Sequence, residues 1–108
     1  MKYEVFWSNS AKFDLESIIE YIKIDSIEIA KKIFFEIKEK CDELNEFPLK
    51  YRIVPELQEI GVCKYREIIY KRWRIIYKVE KLKVYILIVV DSRRNLEDIL
   101  FQRVINEN

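Results

Sequence analysis

The chain has 108 residues, 36% charged and 50% hydrophobic, with 20 Lys and Arg against 19 Asp and Glu. This length supports one domain over residues 1–108 and no second core. One Gly, two Pro and 14% aromatics exclude collagen-like, low-complexity and disordered chains. The longest apolar run, Val84 to Val90, is seven residues, far short of a membrane span. Met1-Lys2-Tyr3-Glu4-Val5-Phe6-Trp7 carries an early acid and no small-residue cleavage site, so it does not read as a signal peptide, and a cytoplasmic location is expected.

Histidine is absent. Its absence rules out serine–histidine and cysteine–histidine catalysis and leaves Arg, Lys, Tyr, Glu and Asp for any chemistry. Cys41 and Cys63 read as reduced, partly buried thiols. Two thiols without His are too few to hold zinc, so neither metal nor cofactor is expected. The near-neutral total hides a local imbalance. Residues 1–60 hold 9 bases and 13 acids, residues 61–94 hold 10 bases and 3 acids, and the remainder holds 1 base and 3 acids. A basic stretch in a neutral chain can face a polyanion or form an ordinary solvated sheet face.

In chain order, Tyr3 to Trp7 is short and β-prone. Ser8-Asn9-Ser10 offers caps for a helix in which Leu15, Ile18, Ile19 and Ile22 recur at helical spacing. Asp25-Ser26 breaks the pattern and can cap a second helix, with Glu28 three residues after Asp25. There Ile27, Ala30, Phe34, Ile37, Cys41 and Leu44 form a seam for a neighbouring helix. The two helices should make an antiparallel hairpin with almost no loop. Phe47-Pro48 ends the second helix, and residues 48–62 read as irregular, punctuated by Pro55 and Gly61. Strands are expected over Cys63–Tyr70, Arg74–Glu80 and Val84–Val90. A short helix follows from Asn95 to Val104, with Asn95 as cap and Leu96, Ile99, Leu100 and Val104 as its apolar side.

Two-residue turns at Lys71-Arg72 and Lys81-Leu82 would set Tyr70 opposite Trp73 and Glu80 opposite Lys83. Side-chain alternation then assigns Ile68, Tyr70, Trp73, Ile75, Tyr77, Val79, Val84, Ile86, Ile88 and Val90 to a core face under the helix hairpin, with Arg66 and Lys64 at its rim. The other face would carry Tyr65, Glu67, Arg74, Lys78, Lys83, Tyr85, Asp91 and Arg93 over Ile69, Ile76, Leu87 and Val89. Lys71-Arg72 lacks the Gly or Asn that tight hairpins prefer. A three-residue loop would swap the faces of the first of these strands and move Arg66 beside Arg74.

Four stretches now stand in order: Phe47-Pro48 with Arg52-Ile53-Val54-Pro55-Glu56-Leu57, then Tyr65-Arg66-Glu67-Ile68-Ile69, then Trp73-Arg74-Ile75-Ile76-Tyr77, and finally Val84-Tyr85-Ile86-Leu87 through Val89-Val90-Asp91-Ser92-Arg93-Arg94. Over nearly its whole length the chain resembles the RelE/ParE superfamily of toxins from type II toxin–antitoxin pairs. The resemblance implies an α+β fold: an N-terminal strand, an antiparallel two-helix hairpin on a mostly antiparallel four-stranded sheet, and a short C-terminal helix. It implies a toxin neutralised by a cognate antitoxin, with Ile24 and Phe35, off the helix seam, as antitoxin contacts. ParE-like members inhibit DNA gyrase, whereas RelE-like members cut messenger RNA on the ribosome. A ribonuclease would use Arg74 and Arg93 as phosphate clamps, with Glu67, Lys78 or Tyr65 for proton transfer. Target contacts in either branch would come from Arg66, Arg74, Arg93, Arg94, Tyr65 and Tyr85. Asp91 stands where the superfamily often has His, and residues 94–108 hold neither Tyr nor His. Together with the long helices, these departures favour the ParE branch, with an inactive antitoxin-binding relic as a further alternative.

Overall fold

The computed structural model describes residues 2–106, with side chains through Arg103. The elements are β1 (Glu4–Trp7), α1 (Asn9–Lys23), α2 (Ile27–Asp42), a one-turn 3-10 helix (Glu43–Asn45), α3 (Pro55–Gln58), β2 (Tyr65–Tyr70), β3 (Trp73–Glu80), β4 (Lys83–Asp91) and α4 (Leu96–Asn106). The sheet runs β1-β4-β3-β2, with β1 parallel to β4 and the other pairs antiparallel. The expected α+β architecture is thus observed. One-turn α3 interrupts the stretch expected to be irregular, its first turn opened by Pro55, whose fixed φ suits that position.

Both hairpin helices start on serine. Ser8 Oγ accepts from the Ala11 N–H at 3.0 Å and Ser26 Oγ from the Ile29 N–H at 3.2 Å. Each bond satisfies a donor that no helical carbonyl can reach. The buried seam of α2 is Ala30, Ile33, Ile37 and Cys41, continued by Leu44. Ile33 joins the expected set, and Ile27 is exposed instead, on the margin of a slot it lines with Ile19, Ala30 and Phe34. With Leu15 and Ala11 of α1, Ile33, Ile37, Cys41 and Leu44 pack on Ile68, Tyr70, Trp73, Ile75, Tyr77, Val84, Ile86 and Val89. Each fully buried Ile or Leu contributes about 1.5–3 kcal/mol. Cys41 lies in this core, where burial pushes its thiol up to about 12, while Cys63 is exposed rather than partly buried. The Asn95 side chain caps α4 through the Asp98 N–H at 3.2 Å, and Val104 lies outside the described side chains.

The two-residue turns are present: Tyr70 pairs with Trp73 and Glu80 with Lys83. Lys71 and Lys81 take the positive φ that glycine normally supplies, 52° and 55°. The register of β4 departs from simple alternation. Ile76 faces Ile88 and the next residue, Tyr77, faces Ile86, so Leu87 is the extra residue of a β-bulge. Past the bulge every side chain changes face relative to the expectation. Ile88 and Val90 leave the helix side and build a second cluster on the outer face with Val54, Ile76, Leu96 and Ile99. Val89 packs under the helices instead, and Asp91 stands opposite Trp73.

The backbone groups freed by the bulge have side-chain partners. Arg103 Nη1 donates to the Leu87 carbonyl at 3.3 Å, and Ser8 Oγ to the same oxygen at 3.4 Å. Asp14 accepts from the Val89 N–H at 3.0 Å and pairs with Arg103 Nη2. Burial raises the Asp14 carboxyl above its usual range against the opposing pull of these donors.

A non-glycine residue in the left-handed region is strained by about 1–2 kcal/mol, partly offset by the chain entropy glycine loses on folding. Lys81→Gly is therefore expected to raise stability by about 0.5–1 kcal/mol in thermal unfolding. Lys71→Gly should gain less, because the Lys71 ammonium lies 5.7 Å from the Tyr70 ring centre and that contact would be lost.

Candidate functional site

On the outer face, Glu67 of β2 and Arg74 of β3 meet beneath the segment that carries α3. The Glu67 side chain is 0% exposed and that of Arg74 is 9% exposed. Arg74 Nε donates to Glu67 Oε1 at 2.7 Å. Its Nη1 and Nη2 donate to Glu56 Oε2 and Oε1 at 2.6 and 2.7 Å, a two-pronged carboxylate contact. Arg52 Nε and Nη2 both reach Glu67 Oε2 at 2.7 Å. Two guanidiniums and two carboxylates thus form a charge-balanced quartet, linked in the order Arg52–Glu67–Arg74–Glu56, in which each oxygen of the fully buried Glu67 has a guanidinium partner. The guanidinium of Arg74 holds the Glu56 carboxyl down at about 2, and Arg74 itself is raised by its two carboxylate partners.

Main-chain pairing holds the quartet in place. The Val54 N–H donates to the Tyr65 carbonyl at 2.9 Å and the Glu67 N–H to the Arg52 carbonyl at 3.0 Å, so residues 52–54 run beside the edge of β2. Val54 and Leu57 anchor the segment in the outer cluster. The sequence contained the signal in Arg52 and Glu56, spaced four apart within a stretch read as irregular. Only the fold shows that they converge on Glu67 and Arg74.

The other expected site residues are dispersed. Arg93 is 75% exposed and grips Asp91 through Nε at 3.1 Å and Nη2 at 2.9 Å. The Arg93 contacts hold the Asp91 carboxyl at about 2. Because the bulge puts Asp91 in line with Trp73, Arg93 and Arg74 do not share the open polar face expected for a phosphate clamp. Arg94 is exposed. Arg66 lies opposite Tyr77 and donates to the Tyr51 carbonyl at 2.6 Å, half-buried at the rim as expected, whereas Lys64 is exposed and precedes the strand.

A second group crosses the sheet about four residues away along β3. Tyr65, Lys78, Tyr85 and Phe6 occupy one register row over β2, β3, β4 and β1. Phe6 stacks on Tyr85 with ring centres 5.7 Å apart. The ammonium of Lys78 lies 5.7 Å from the Tyr85 ring centre and that of Lys83 5.8 Å from Phe6. Lys78 also pairs with Glu80 at 2.8 Å. Among the described residues no group of three or more metal-ligating side chains is gathered together.

On the far side of the molecule, Ile19, Lys23, Ile27, Ala30, Lys31, Phe34 and Phe35 line a slot of about 370 Å³ in the helix hairpin. Phe35 is 65% exposed on its rim, and Ile24 is 81% exposed at the hairpin tip. Both therefore stand off the seam, as their spacing indicated.

Removing one partner from a buried ion pair leaves an uncompensated charge and costs about 3–5 kcal/mol. Arg74→Ala is expected to lose that much in urea unfolding. Arg93→Ala, at an exposed and solvent-screened pair, should leave the urea midpoint essentially unchanged.

The fold has known counterparts. A structure of the chromosomal ParDE toxin–antitoxin system from P. aeruginosa superposes with a TM-score of 0.70 at 19% identity, over 85% of this chain and 98% of that one. The toxin–antitoxin complex RelBE2 from Mycobacterium tuberculosis gives 0.61 at 17% identity, over 84% and 92%. Both likenesses concern the fold. No curated protein matches the chain in sequence. The family model described as ParE toxin of type II toxin–antitoxin system, parDE, matches residues 5–96. With the strand order, the helix hairpin and that match together, the chain belongs to the ParE family of type II toxins.

Proposed function

We propose that this toxin acts on DNA gyrase and does not cleave RNA. The observation that carries this reading is the quartet. Cleavage by attack of a ribose 2′-hydroxyl needs a base, cations for the charge on phosphorus, and an acid for the leaving oxygen. Arg74 and Glu67, the best candidates by residue type, are spent on each other, on Arg52 and on Glu56. Two separate accessible patches remain for docking a large partner, one at each end of the strands. Arg93 and Arg94 stand at the end of β4, and Tyr65 and Tyr85 flank Lys78. Purified protein is expected to block gyrase supercoiling and to leave messenger RNA intact in a translating ribosome. Cleavage of the message with gyrase unaffected would establish the RelE-like reading instead, and inactivity in both assays alongside tight antitoxin binding would establish a relic.

The antitoxin partner that goes with this family fits the hairpin slot. An amphipathic segment laid there would cover Phe34, Phe35 and Ile27, with Lys23 and Lys31 at its margins for acidic side chains. Phe35→Asp and Ile24→Asp add a charge where no core packing is lost. Each is expected to weaken binding of the protein encoded in the neighbouring reading frame at least tenfold, about 1.4 kcal/mol, while thermal unfolding stays unchanged. Unaltered affinity in both variants would remove this face from the interface.

A further inference from the structure

The contact between Glu56 and Arg74 has the geometry of an occupied anion site. Two parallel N–H···O bonds of 2.6 and 2.7 Å are how a guanidinium holds a phosphate as well as a carboxylate. The occupant here is a side chain of the same chain. It differs from the other carboxylate of the quartet in access: Glu67 is sealed, whereas the Glu56 side chain is 35% exposed. Glu56 also opens outward onto a cleft of about 500 Å³ lined by Arg52, Pro55, Glu59, Ile69, Arg74 and Ser92. With Glu56 withdrawn, Arg52 and Arg74 would face Glu67 alone within the quartet, leaving one net positive charge there and two unpaired Nη donors at the floor of a cleft whose wall also carries Glu59. An oxyanion entering there would restore both the charge balance and the hydrogen bonds.

We propose that Glu56 is a built-in competitor anion: the segment 52–59 is a strap that seats a carboxylate where a phosphate-like oxyanion would otherwise bind Arg74, and so keeps a latent oxyanion site closed. The affinity of the outer face for phosphate groups is then set by this one acid rather than by the number of nearby arginines. The strap is built to hold station. Main-chain pairing of residues 52–54 with β2 and the packing of Val54 and Leu57 on either side of Glu56 fix the backbone, and the ion pair fixes the Glu56 side chain over Arg74. This inference stands apart from the choice of gyrase as target, since it concerns only whether Arg74 can be reached.

The test compares the full chain with Glu56→Gln, titrating inorganic phosphate at constant ionic strength and pH 7 by calorimetry and by thermal unfolding against chloride. The wild type should show no saturable binding. The E56Q variant should bind phosphate at least tenfold more tightly than wild type, with a midpoint temperature lowered in chloride and recovered as phosphate rises. The double variant E56Q/R74K should lose this response, because an ammonium cannot make the two-pronged contact. Equal phosphate binding by wild type and E56Q, a folded E56Q indifferent to phosphate, or an undiminished response in the double variant would each overturn the proposal. Should E56Q be unfolded in chloride, recovery of its circular dichroism in phosphate supports the site, and failure to recover overturns it.

Discussion

The outer half of this protein depends on the burial of one carboxylate. Glu67 sits in the middle of β2 with its side chain fully enclosed, and an ionised group in that position is tolerated only if its charge and lone pairs are met. Arg74 meets it from the neighbouring strand and Arg52 from the edge segment, and Glu56 then neutralises the charge left over. These demands bring a 15-residue connection back across the sheet, because two of the four members lie in residues 48–62. The ion pairs add little net stability over a well-packed apolar alternative, but they specify which residues of the connection lie over which residues of the sheet.

The bulge at Leu87 has a matching role in β4. By shifting one residue, it sends Ile88 and Val90 outward to meet Val54, Leu96 and Ile99, and turns Val89 inward beneath the helices. The sheet is therefore packed on both faces at one end, with α4 covering the outer side. The same shift separates Asp91 and Arg93 from Arg74. The arginines between 61 and 94 are thus split, with Arg74 held on Glu67 and Glu56 while Arg72 and Arg93 share Asp91. The guanidiniums at 52, 74 and 93 are each bound to a carboxylate, and Lys78 and Lys83 stand with Tyr65, Tyr85 and Phe6 at the opposite end of the strands.

For a family member, this arrangement makes the arginine equivalents a poor guide to activity. The family resemblance offered Arg74 as a phosphate clamp, yet in the structure its guanidinium is held by Glu67 and Glu56. Function in such a scaffold is read from what each side chain can still reach, not from its place in a motif.

Much of the molecule was legible without coordinates. Local chemistry decides the caps at Ser8, Ser26 and Asn95 and the helical stripe through Ala30, Ile37 and Cys41, since each depends on residues within a turn or two of one another, whereas α2 ends at Asp42 and passes into a 3-10 turn before the expected stop at Phe47-Pro48. The pairing of Tyr70 with Trp73 was likewise within reach, because alternation of apolar residues resists a one-residue slip. What only the tertiary structure decided is everything set by contacts distant in sequence. Glu56 lies 18 residues from Arg74 and Asp14 lies 89 from Arg103, so no periodicity announces either pair. A bulge leaves no mark in a continuous apolar run such as Val84 to Val90, where either face would accept every residue. Which side each residue took was settled by the helices above the sheet, the second cluster below it, and the side chains available to satisfy the freed backbone groups.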